Sequence, residues 1–143
     1  MDDLTAFIKA RLAEDEAAAK AADEGPWKAV PCVYGPPEDG YGEPHYYEIR
    51  SPLRGPHGDV VSHQTHEGGG VHGAANAVHI ARHDPPRTLR EVEALRRLVI
   101  IHNPGTDPCD PGNARLRAMP CEVLTFVAAI WSEHPDYRQE WAA

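Results

Sequence analysis

His79-Ile80-Ala81-Arg82-His83-Asp84-Pro85-Pro86-Arg87-Thr88-Leu89 is the stretch on which the fold turns, because it holds the joint between two helical patterns. Asp84 offers a carboxylate to the unpaired N–H groups of a starting helix, and Pro85 suits a first position that needs no donor. Upstream, small and apolar residues run from Val71 to about Ala81. Downstream, Leu89, Val92, Leu95, Leu98, Val99 and His102 form a stripe at helical spacing, flanked by Arg87, Arg90, Glu91, Glu93, Arg96 and Arg97. The spacing predicts a helical hairpin over 72–102, in which His72 faces the end of the second helix while His79 and His83 stay distant from His102.

Working outward, Leu4, Phe7, Ile8 and Leu12 predict a helix over 2–24, stopped by Gly25-Pro26 with Gly25 as a left-handed cap. From Trp27 the pattern becomes β-like. Trp27–Val30, His45–Arg50 and Asp59–Ser62, separated by Pro/Gly-rich turns, predict a small antiparallel sheet over 27–62. Gly35–Gly42 reads as a long hairpin loop and Glu67–Gly70 as a flexible connector. Residues 103–119 read as a loop. Residues 120–143 read as a helix, with Cys121, Leu124, Thr125, Ala128 and Trp131 on one face, and a tail. The sum is a single α+β domain over 1–143: N-terminal helix, small antiparallel sheet with long loops, C-terminal helical hairpin plus a final helix.

Charge narrows the function. Fourteen Lys and Arg against 22 Asp and Glu give a formal net charge of -8 over 143 residues, which argues against nucleic acid as partner. The Asp84-Pro85 joint invites a helix-turn-helix reading, but adjacent prolines and interleaved Glu91 and Glu93 favour a solvated face. Val92, Leu95 and Val99 on that helix suggest instead a seam for self-association. No apolar run approaches the roughly 20 residues that span a bilayer, so no membrane partner is expected. Met1-Asp2-Asp3 lacks the basic and apolar regions of a signal peptide, which predicts a cytoplasmic protein. Three cysteines, Cys32, Cys109 and Cys121, are too few and too odd in number for a disulfide scaffold and read as free thiols or metal ligands.

Chemistry concentrates in two places. His102, Cys109 and Cys121 fall within twenty residues of a Pro/Gly-rich connection, and thiolate and imidazole suit tetrahedral zinc. A closed site needs a fourth ligand, for which His72 is the candidate. The competing reading, of about equal weight, is a pair of packed thiols beside a helix-terminal histidine. His79 and His83, spaced i, i+4, are the second metal candidate, and with Asp84 they suggest a metal-dependent hydrolase. That string lacks the glutamate of H-E-x-x-H, so a structural role is the stronger reading. No local signature supports a Cys–His nucleophile, and Gly68-Gly69-Gly70 lacks the Lys and Ser/Thr of a phosphate loop. Trp27, Tyr46 and Tyr47 allow an aromatic small-ligand pocket.

The string from His79 to Ala94 and the ending His134-Pro135-Asp136-Tyr137-Arg138-Gln139-Glu140-Trp141, together with Gly25-Pro26-Trp27, resemble an uncharacterised family, a domain of unknown function, from high-GC Gram-positive bacteria and their phages. The resemblance implies a histidine at the end of the long helix, then a C-x-x-C pair, then Pro-Cys before the last helix. His102, Cys109, Pro120 and Cys121 match, and Gly112 stands where the second cysteine of the pair would fall. More loosely, the chain is similar to the Ead-like accessory proteins of tailed phages, whose pattern is apolar at the position of His79. The resemblance implies a lineage and a zinc site and names no reaction. The expectation is a non-enzymatic accessory protein that acts through a protein partner or through self-association.

Overall fold

A computed structural model describes residues 3–32, 46–52, 59–62, 64–65, 68–102 and 121–142. The chain divides into two compact units, Met1–Ala17 with Arg90–Ala143, and Ala18–Leu89. The fold is α+β: helix α1 (Asp3–Ala21), strands β1 (Lys28–Pro31), β2 (Tyr46–Ser51), β3 (Asp59–Ser62), β4 (Gln64–Thr65), β5 (Gly68–Gly69) and β6 (Val71–His72), then helices α2 (Ala74–Arg82), α3 (Pro85–Ile101) and α4 (Glu122–Ala128). The spacer 35–42 and the loop 103–119, with Cys109, lie outside the described residues. Among the described residues no helix is long and apolar enough to cross a membrane.

The first unit is helical. Leu4, Phe7, Ile8 and Leu12 of α1 are buried with Val92 and Val99 of α3 and with Leu124, Val127, Ala128 and Trp141. Each large apolar side chain removed from water in this way contributes about 1.5–3 kcal/mol. Val92 and Val99 are 3% and 2% exposed, so the residues expected to form a seam between copies are spent on this core. Apolar residues at helical spacing mark a buried face without telling which surface covers it. After α4 the chain makes a 3-10 turn, Ala129–Trp131, and ends in a second, Gln139–Trp141. The expected tail is thus anchored, because Trp141 is buried against Phe7 with ring centroids 5.1 Å apart.

The second unit holds the sheet. β2 is central and antiparallel to its neighbours: β1 pairs along one edge from Lys28↔Arg50 to Pro31↔Tyr47, while β3 and β6 share the other. β3 takes the Ile49–Ser51 end of β2, with an irregularity at Ile49/Arg50, and β6 takes Tyr46 and Tyr47. Pro31, with no N–H to give, sits on the edge strand β1, where the loss is tolerated. α2 lies against β1, β2 and β6. Ala77 of α2 and Ile49 of β2 are fully buried.

Within the Glu67–Gly70 stretch read as a connector, two glycines form a strand instead: Gly68 and Gly69 pair with Thr65 and Gln64. Gly69 and Gly70 take φ of 101° and 78°, backbone that other residues rarely adopt. Gly25 is likewise not a left-handed cap, since it is absent from the residues of positive φ. α1 ends at Ala21, and the indole of Trp27 donates to the carbonyl of Asp23 at 2.9 Å. Gly25 is needed for proximity: a Cβ there would stand 2.6 Å from Pro86 Cδ and 2.8 Å from an Asp84 oxygen. Asp84 ties this corner together. Its Oδ1 accepts the backbone N–H of Arg87 at 3.0 Å, capping α3 as the sequence predicts, and its Oδ2 accepts that of Trp27 at 3.2 Å.

Candidate functional site

Two of the predicted zinc ligands meet. His102 closes α3, donating its backbone N–H to Leu98 at 2.9 Å, and is 8% exposed. Cys121 is the residue before α4, half-buried against the helical core, with its side chain free of any capping bond. Sγ of Cys121 stands 3.5 Å from Nδ1 of His102, across 19 residues of sequence. A tetrahedral zinc with Zn–S of about 2.3 Å and Zn–N of about 2.05 Å would hold the two donor atoms about 3.6 Å apart. The spacing therefore fits two vertices of such a site. It equally fits a direct thiol–imidazole hydrogen bond.

The other candidates lie in the Ala18–Leu89 unit. His72 is exposed on β6, its ring edge-on to Tyr46 with centroids 5.4 Å apart. His79 and His83 are exposed neighbours on α2 and at its end, with ring centroids 4.3 Å apart and planes 39° from parallel. Among the described residues no group of three or more His, Cys, Asp and Glu side chains is placed to hold a metal. Asp84 is buried with both oxygens turned to backbone donors, which leaves little support for a carboxylate working beside His83. Trp27 and Tyr47 are half-buried and Tyr46 is exposed. Burial pushes the Cys32 thiol above its ordinary range, helped by the Glu48 carboxylate, so that thiol is a poor nucleophile at neutral pH.

A family model, DUF6221, a family of unknown function, matches residues 1–143. The chain belongs to this family. No curated protein and no solved structure gives a match.

In this DUF6221 chain the ending His134-Pro135-Asp136-Tyr137 has a structural partner that the sequence reading missed, Arg11. Its side chain is 8% exposed, with Nη2 on Glu14 at 2.7 Å, Nη1 against the His134 ring and 3.8 Å from Asp136. The guanidinium also lies over Phe7, 5.4 Å from the ring centroid. The backbone N–H of Asp136 donates to Nδ1 of His134 at 3.1 Å, and the rings of Tyr137 and Trp141 close on Phe7. The signal was available: Arg11 falls between Ile8 and Leu12 on the apolar stripe of α1, where a charge needs a specific partner. In the same unit, Lys9, Leu12, Arg96, Val99 and Ile100 line an open groove of about 380 Å³.

Proposed function

We propose that this chain is a non-enzymatic accessory protein that works inside the cell through protein contacts, of the kind carried by phages and mobile elements, and that one structural zinc ion held by His102, Cys109 and Cys121 stabilises it. The observation that carries the reading is the 3.5 Å approach of Cys121 Sγ to His102 Nδ1, close to the edge of a tetrahedral zinc site. Gly112, in place of a second cysteine, leaves the fourth position to water or to another donor. Such an ion would crosslink the ends of the 103–120 segment, adding binding energy to folding.

The contact surface in this reading lies beside that site. Ile100 and Ile101 are 69% and 48% exposed just before His102, and Phe126 and Ile130 are 56% and 59% exposed after Cys121. With Val92 and Val99 buried, self-association or a partner protein would use these residues. The likeness of the His79–Ala94 string and the His134–Trp141 ending to proteins of high-GC Gram-positive bacteria and their phages, and more loosely to Ead-like proteins, supports the accessory role. Metal content by mass spectrometry on tag-free protein, for wild type, Cys109→Ser and Cys121→Ser, tests the zinc. About one zinc per chain, lost in both variants, is the expected result; a metal-free wild type would refute it. Sedimentation of Ile100→Glu with Phe126→Glu tests the surface, with a smaller assembly expected than for wild type.

A further inference from the structure

We propose that His79 and His83 form a two-point chelate for a borderline divalent cation, Zn²⁺, Ni²⁺ or Cu²⁺, at the C-terminal end of α2. The i, i+4 spacing puts both imidazoles on one face of the helix, and their centroids lie 4.3 Å apart. His83 Nδ1 stands 2.8 Å from the carbonyl oxygen of His79 and donates to it, which places the proton on Nδ1 and leaves a lone pair on Nε2 of an exposed side chain. This is the arrangement that orients metal-bound histidines, one ring nitrogen donating to a carbonyl while the other binds the ion. It also explains why His83, the residue that ends α2, is held in place although it is exposed.

The surroundings suit a cation and identify its class. The end of α2 carries the negative pole of the helix, where positive charge is stabilised. Imidazole pairs favour zinc, nickel and copper over magnesium or calcium, which require oxygen donors. No third His, Cys, Asp or Glu side chain completes the site among the described residues, and Asp84 is occupied by backbone donors. The two imidazoles fill two coordination positions, and the others are left to water or to a further donor. The chelate is independent of the zinc proposed at His102.

The test is a nickel titration followed by calorimetry at pH 7.5 on protein carrying Cys109→Ser and Cys121→Ser, with His79→Ala and His83→Ala each added singly. Both positions are exposed, and circular dichroism verifies that the variants fold. One Ni²⁺ bound per chain at this site, weakened at least tenfold by either alanine and unaffected by His72→Ala, is expected. Unchanged affinity in both alanine variants, or loss on His72→Ala instead, overturns the proposal. Nitrogen-15 NMR of the metal-free protein is the second measurement: a proton on Nε2 of His83 rather than Nδ1 would equally overturn it.

Discussion

Asp84 accepts the backbone N–H of Trp27, 57 residues earlier in the chain, at 3.2 Å while its other oxygen caps α3. One carboxylate thus serves a helix start and a tertiary corner. Asp84→Ala removes the cap and leaves the Trp27 donor without its acceptor, so a loss of about 1–3 kcal/mol is expected in urea unfolding. Asp84→Asn keeps a capping oxygen and should lose less. Equal losses for the two variants would refute the double role.

The same corner constrains Gly25. A methyl group there meets the ring of Pro86 and the Asp84 carboxylate at 2.6 and 2.8 Å, neither of which moves without disturbing the cap. Gly25→Ala should lower the melting temperature by several degrees, as a loss of about 1–3 kcal/mol from overpacking does in a chain of this size. Adding Gly25→Ala to Asp84→Ala should cost less than the sum of the separate losses.

Trp141 tests the anchored C-terminus. It is 5% exposed against Phe7, so Trp141→Ala should cost about 3–5 kcal/mol and free the residues after Trp131 to early proteolysis. Arg11→Met, which keeps the stem and removes the donors to Glu14 and His134, should loosen the same segment while leaving α1 helical by circular dichroism. A C-terminus equally resistant to protease in both variants would show that these contacts do not hold it.

Cys32 gives a pH-dependent prediction. Its thiol is raised by burial first and by the Glu48 carboxylate second, so less thiolate is present at pH 8 than for a free cysteine. Alkylation by iodoacetamide should be slow there and accelerate as pH climbs through the raised value. Glu48→Gln removes the repulsive charge and should make Cys32 react faster at pH 8; an unchanged rate would leave burial as the sole cause.

Local signals account for much of the fold. The stripes on α1 and α3, the Asp84-Pro85 start and the β patterns at Lys28–Pro31, Tyr46–Ser51 and Asp59–Ser62 are all set by neighbours a few residues apart. Two places misled, one because sequence distance hides the partner and one because glycine carries no strand signal. Gly25 resembled a cap because a glycine often follows a helix, yet its role comes from Pro86. The glycines at 68–69 carry no side chain to signal a strand, and their pairing is supplied by Gln64 and Thr65.

Of the candidate sites, the chain order alone singled out His102 and Cys121 as soft donors, and the i, i+4 rule alone put His79 beside His83. What the tertiary structure decided is which donors meet: Cys121 reaches His102 because α3 and α4 bury Val99 and Leu124 in one core. It also decided that Arg11 belongs to His134 and Asp84 to Trp27, because a buried polar group takes whichever partner the packed backbone brings within hydrogen-bond reach. Helical and strand periods are local properties of a chain, whereas the company a side chain keeps across a hundred residues is set by how its apolar faces are buried.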